Sequence, residues 1–237
     1  MTEAEMQSII SHELMRLDAF PDANNIEKVC FYGAGCTKEK APLLQGVLQS
    51  LFTSASVVEV GSDMLGAARA LLGDEEGIAC ILGTGANSCL YDGHDIVANV
   101  SPMGFILGDE GSGAVLGKTF INLLYKDGHD DMREKFERKT GLTAATIIQR
   151  VYREPTPNRF LASLAPFIKE NMDKCWVQKM VINEFRNFFR RNVAHYNRRD
   201  LPCSFVGSIA FHFERELRIA AYSEDYKVGK ILKEPLF

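Results

Sequence analysis

The stretch ILGTGANSCLYDG, residues 81–93, joins the end of an apolar run to a glycine turn and then to a hairpin signal. IACILGTG (78–85) reads as a buried strand that ends in Gly83-Thr84-Gly85. Glycines there allow close approach and unusual backbone angles, so that successive amide N–H groups can face a phosphate. A strand-to-helix turn can also use glycine for its own geometry. Immediately afterwards SCLYDGHDIVANV places Asp92-Gly93 between two β-prone runs, the signature of a tight hairpin. The hairpin marks the start of a new sheet.

Outward from this stretch, helix and strand alternate on the N-terminal side. Met6, Ile9, Ile10, Leu14 and Leu17 stand at three-to-four spacing and predict an amphipathic helix that Pro21, Asp22 and Asn24 interrupt. KVCFYGAG (28–35) predicts a buried strand with a glycine turn, followed by a helix from Lys38 to Phe52, the strand 56–60 and a helix from Ser62 to Leu72. This order argues for an α/β fold with parallel pairing and crossover helices. Residues 111–199 read as mostly helical, broken near Pro155 and Pro157. LPCSFVGS (201–208) predicts another strand ending in a glycine turn, and 209–221 a helix.

Composition narrows the function. Of 237 residues, 46% are hydrophobic and 24% charged, and the net charge of −4 provides no basic field for nucleic acid or an anionic membrane. Arg186, Arg190, Arg191, Arg198 and Arg199 are read as a solvated face opposite the apolar stripe Phe185, Phe188, Phe189, Val193 and Tyr196. Six cysteines form no zinc-type spacing, and Cys30, Cys80 and Cys203 are expected as buried free thiols, which points to a reducing cytoplasm. A dinucleotide fingerprint would need a third glycine where Lys38 and Ser88 stand. A Walker A loop ending at Gly117-Lys118-Thr119 would need glycine at Ser112, so Gly117 and Lys118 are read as helix surface.

Together, GTGAN at 83–87 and GDEGS at 108–112 resemble the second phosphate hairpin and the following acidic block of the BadF/BadG/BcrA/BcrD ATPase family, in its N-acetylglucosamine kinase-like branch. That family lies within the superfamily of sugar kinases, heat-shock chaperone ATPases and actin. VVEVGSDMLGAARALLG (57–73) and FVGSIA (205–210) match further family segments in the same order. The resemblance implies two ribonuclease H-like domains around a cleft, at 1–76 and 77–237, the second with a mostly helical insertion at about 120–200. It implies an ATP-dependent kinase of a small sugar or amino sugar requiring Mg²⁺, with no nucleic-acid or membrane partner and a second copy of the chain as a candidate partner.

Residue by residue, the resemblance makes Asp63 the general base, with N-capping of the helix as the alternative role that Ser62 could equally fill. Thr84, Gly85, Asn87 and Asp109 would bind the sugar. Gly83, Thr84, Gly85, Gly207 and Ser208 would meet the nucleotide, and Glu110 would help order the metal and phosphate region. Turn formation is the alternative for Asn87 and Gly207, and helix capping for Asp109 and Glu110.

The chain departs from the family in two places. No Asp-x-Gly-x-Thr phosphate motif precedes the helix at 6–17. The first domain is therefore expected to lack its N-terminal hairpin strands, with an exposed sheet edge and a chain that begins late or is inactive as written. Pro102 and Met103 stand where N-acetylglucosamine kinases tend to place Gly-Trp, which leaves the sugar open. Two other readings remain: a catalytically silent sugar-binding or regulatory protein, and an ATPase activator of the 2-hydroxyacyl-CoA dehydratase kind, for which Cys36 and Cys89 lack the expected cluster pattern.

Overall fold

In the computed structural model, which describes residues 3–15, 22, 25–36 and 39–235, the chain divides into two compact units, Met1–Gly66 and Ala67–Phe237. Leu17, Pro21, Asn24 and Lys38, which entered the sequence reading at element edges, lie outside the described residues, as do Leu236 and Phe237.

The first unit contains helix α1 (Glu3–Ile9), extended by a π-helical turn (Ile10–Leu14), strand β1 (Lys28–Gly33), helix α2 (Ala41–Leu51) and strand β2 (Val57–Ser62). Strands β1 and β2 pair in parallel from Lys28↔Val57 to Gly33↔Ser62, and α2 makes the crossover. Pro42 lies in the first turn of α2, where a missing N–H leaves no helical bond unmade. Ile10, Leu44, Val47, Leu48, Phe52 and Val58 form the core.

Strand β1 is not the buried run expected, and Cys30 is exposed. Alternation explains this: Val29 and Phe31 pack on the core, so Cys30 between them points to the other face. The ring of Tyr32 fills the space beside Gly61 and Gly66, where an added Cβ would stand 2.9 and 2.7 Å from it. This packing seats helix α3 (Asp63–Leu72) directly at the end of β2.

In the second unit a five-stranded sheet runs in the order β5-β4-β3-β6-β7. Strands β3 (Gly77–Leu82), β4 (Ala86–Tyr91) and β5 (Ile96–Asn99) form an antiparallel meander, whereas β6 (Cys203–Val206) and β7 (Val228–Leu232) join in parallel. The Asp92-Gly93 turn closes the β4–β5 hairpin, with Asp92 Oδ1 accepting the N–H groups of His94 (2.9 Å) and Asp95 (2.8 Å). Those bonds favour the ionised form and hold the Asp92 carboxyl below its ordinary value. Strand β7 was not foreseen. Its Val228, Lys230 and Leu232 carry no strong period, and as an edge strand it needs only one partner.

Between β5 and β6 lie α4 (Gly104–Leu107), α5 (Gly113–Lys126), α6 (Asp130–Thr140), α7 (Ala144–Tyr152), α8 (Pro157–Ala162), α9 (Ala165–Glu170) and α10 (Cys175–Arg191). After β6 come α11 (Ser208–His212) and α12 (Glu214–Ser223), so the helix expected over 209–221 is broken at Phe213, which turns its ring into the core. Phe120 stacks on Trp176 and meets Phe136 and Phe167 edgewise or tilted, while Phe185 packs on Phe213, and Phe188 and Phe189 on Phe205. Such large aromatics dominate burial energy.

The apolar stripe Phe185, Phe188, Phe189, Val193 and Tyr196 is buried, and the arginines lie exposed or half-exposed, where Arg186 and Arg190 pair with Glu224, Arg191 with Glu110, and Arg198 with Glu76 and Asp200. One reading of the helical region needs correction. Gly117 is buried, because α5 crosses α8 so closely that a Cβ would stand 2.1 Å from the Leu161 carbonyl oxygen.

Tyr196 pins the hairpin from below: its hydroxyl donates to the Ser88 carbonyl (2.8 Å), lies 2.8 Å from Ser88 Oγ and accepts the Val100 N–H at 3.2 Å. Burial pushes its pKa from 10.0 up to about 12. A raised acid binds its proton more tightly in the folded state, so this stabilisation is present below pH 10 and is lost as pH rises towards 12. Urea denaturation should show Tyr196→Phe less stable at neutral pH by about 1–3 kcal/mol. The decline in its stability between pH 10 and 12 should also be shallower than in the wild type.

Candidate functional site

The turn after β3 is built by backbone. Gly83 N–H donates to Gly85 O (3.0 Å), and the outward carbonyls are taken by helix α5: Gly113 N–H binds Gly83 O at 2.8 Å and Ala114 N–H binds Thr84 O at 3.1 Å. Ser112 caps α5, its Oγ accepting the Val115 N–H. A side chain on Gly113 would press within 3.1 Å of Ala162, 3.2 Å of Gly83 O and 3.2 Å of Ile209. With the carbonyls engaged, the amides of Thr84 and Gly85 have no protein acceptor among the described residues.

Gly83 and Thr84 line a cavity of about 680 Å³ together with Ser208, Arg159, Lys169 and Phe213. That is the size of an ordinary small-molecule site. Gly207, at φ 128°, is pressed against β3, and an added Cβ would lie 2.3 Å from Leu82 O. Lys169 is held by the buried Glu216 at 3.3 Å and stands 5.0 Å over the Phe213 ring. Arg159 and Lys169 were not anticipated. They come from two six-residue helices with no motif, and the only sequence signal was a proline opening each.

The other side of the same turn meets an acid. Asp109 brings its carboxylate against Gly85, where a Cβ would be 3.2 Å from Oδ2. Its pKa is raised by burial, against a lowering hydrogen bond from the Ala86 N–H. Asp109 holds φ 54°, donates its N–H to Pro102 O (2.9 Å) and accepts the Ser112 N–H (3.0 Å). Because Ser112 supplies the cap of α5, the Asp109 carboxylate is not consumed in that role. Asn87 Oδ1 accepts the Ser88 N–H and Asn99 Nδ2, both at 2.9 Å, and its amide nitrogen has no partner among the described residues.

Glu110 is engaged by the end of a helix. Its two oxygens receive Arg191 at 2.9 Å and Asn192 at 3.2 Å, anchoring the loop to the end of α10. Among the described residues no three His, Cys, Asp or Glu side chains cluster as a metal cage.

Asp63 belongs to the first unit, at the first position of α3. Ser62 Oγ accepts the Leu65 N–H at 3.2 Å and performs the capping, while Asp63 Oδ1 accepts the adjacent Met64 N–H at 2.9 Å. Cys89 is buried, and burial raises its thiol to about 12, which makes it a poor ligand for a cluster shared between two copies.

The two turn glycines predict opposite outcomes. Among the described residues nothing lies within 4 Å of a Cβ on Gly83, so Gly83→Ala should leave the thermal midpoint nearly unchanged while weakening binding of a ligand held at the cavity mouth. Gly207→Ala must force a positive φ and a backbone clash, and should cost about 3 kcal/mol in calorimetry.

No protein-family model matches the chain, and no curated protein matches it. Among solved structures, one described as a "putative N-acetylglucosamine kinase" from Porphyromonas gingivalis is 49% identical, with a TM-score of 0.93 over 99% of this chain and 83% of that one. A second of the same description, from Chromobacterium violaceum, is 16% identical with a TM-score of 0.72 over 96% of this chain and 81% of that one. MreB 5 of Spiroplasma citri, solved with AMPPNP, shares the fold at 13% identity and a TM-score of 0.51, over 97% of this chain and 70% of that one. Among the described residues no helix is long and apolar enough to cross a membrane. At 49% identity over 99% of this chain and 83% of that one, the chain belongs to the family of the Porphyromonas gingivalis protein.

Proposed function

We propose that this protein is an ATP-dependent kinase of a small sugar of the N-acetyl amino sugar class. The observation that carries the reading is the double use of one turn. Gly83 and Thr84 face a cavity of nucleotide size, and Gly85 meets the half-buried Asp109 carboxylate, a group with several acceptor sites for sugar hydroxyls. The description of the Porphyromonas gingivalis relative supports the same substrate class.

In this reading the free amides of Thr84 and Gly85 hold phosphate oxygens, and Arg159 and Lys169 add positive charge along the cavity. Asp109 and the Asn87 amide nitrogen orient the acceptor sugar. Asp63, released from capping by Ser62, takes the proton of the attacking hydroxyl. Magnesium, when bound with the nucleotide's phosphates, supplies charge neutralisation.

The test is ADP release over a panel of N-acetylglucosamine, glucosamine and glucose, run on this chain and on any longer form encoded in frame ahead of residue 1. Asp63→Asn should lower kcat about 10²- to 10⁴-fold with little change in sugar KM. Asp109→Asn should chiefly raise the sugar KM. Sugar binding without ADP release from either form would favour the silent sugar-binding reading, and equal turnover by wild type and Asp63→Asn would remove Asp63 as the base.

A further inference from the structure

Residues 102–109 form a closed loop whose conformation is costly. Met103 (φ 59°) and Asp109 (φ 54°) sit in the left-handed region without being glycine, and Gly104 (φ 73°) shares it. The neck is tight: Asp109 N–H donates to Pro102 O (2.9 Å) and Gly108 N–H to Gly104 O (2.7 Å), while a Cβ on Gly108 would stand 2.1 Å from Pro102 O. Met103, Ile106 and Leu107 are exposed, and of the loop's apolar side chains Phe105 packs on the core. Such strain persists only where surrounding contacts over-determine it. Side chains from outside the loop reach it: Ser101 Oγ donates to Met103 Sδ at 3.5 Å, and a charged contact comes from α5. Lys118, on the exposed side of α5, donates its ammonium to Phe105 O at 2.7 Å.

We propose that Lys118 is a positioning residue for sugar binding: it latches the 102–109 loop to α5 and thereby sets the Asp109 carboxylate against Gly85. This rests on the kinase reading above, and it assigns work to a lysine that the phosphate-loop reading could not use. The latch acts on the acceptor side alone, since Lys118 does not line the cavity. It also acts electrostatically. The groups facing Asp109 are Glu110 of its own loop, which raises its pKa, the Ala86 N–H of β4, which lowers it, and Lys118 of α5, which lowers it. Burial, the largest influence, and Glu110 together outweigh the two lowering groups.

The experiment measures Kd for N-acetylglucosamine and for ATP by calorimetry across pH in wild type, Lys118→Met, Lys118→Arg and Gly104→Ala. Lys118→Met should weaken sugar binding about tenfold while leaving ATP binding unchanged. An ionised Asp109 is the better acceptor, so acid should weaken sugar binding; removing Lys118 raises the Asp109 pKa further, and the loss should begin at higher pH than in wild type. Lys118→Arg should restore both the affinity and the pH profile. Gly104→Ala, which loosens the same loop but keeps the charge, should weaken sugar binding with no pH displacement. Wild-type sugar affinity and pH profile in Lys118→Met would overturn the inference while leaving the kinase reading intact. Weakening of sugar and ATP alike would reduce Lys118 to general stability and overturn it too. A wild type that takes up no amino sugar would overturn the kinase reading and this inference with it.

Discussion

The two hydrogen bonds from the first amides of α5 to the carbonyls of Gly83 and Thr84 are the constraint from which the second unit's site follows. They turn the carbonyls of the glycine turn into the helix and leave the amides of Thr84 and Gly85 without a protein acceptor among the described residues. Each residue carries a separate donor and acceptor, so these amides remain to be satisfied from outside the turn. The same bonds require α5 to begin on Gly113, the residue small enough to fit among Ala162, Gly83 and Ile209. They also place Ser112, and through its N–H to Asp109 O, the acidic loop.

Around this seam the aromatic core supplies rigidity. Phe120, Phe136, Phe167 and Trp176 hold α5 against α6, α9 and α10, and Phe188, Phe189 and Phe205 hold α10 against the sheet. Because α10 is held, Arg191 and Asn192 at its end can fix Glu110, and Tyr196 just beyond can fix Ser88 beside Asn87. Partial burial disfavours the charged form of Asp109 and raises its pKa. Electrostatics at the site are therefore set by packing some distance away.

Much of the fold was legible because its signals are local. Alternating apolar runs and helical periods mark β1, α2, β2, α3 and β3, and Asp92-Gly93 marks the hairpin, since turn chemistry depends on neighbouring residues alone. What escaped was non-local. Strand β7 lacks a period and exists because β6 offers an edge. Gly117 reads as surface until α8 is laid across it. Glu110 reads as a site acid until Arg191, eighty-one residues on, takes one of its oxygens.

By itself the sequence determined the order of elements, the glycine turns and the acidic block, because backbone permissiveness and side-chain period are properties of short segments. Through its resemblance to a known family it also nominated Gly83, Thr84, Gly85, Asp109 and Ser208 for a common site. Only the tertiary structure decided that Gly83, Thr84 and Ser208 share one cavity, that Arg159 and Lys169 join them, and that Gly85 faces Asp109. The physical reason is that these juxtapositions depend on how close two backbones can come. Closeness is set where glycine meets a carbonyl across the fold, at Gly113 against Gly83 and at Gly207 against Leu82.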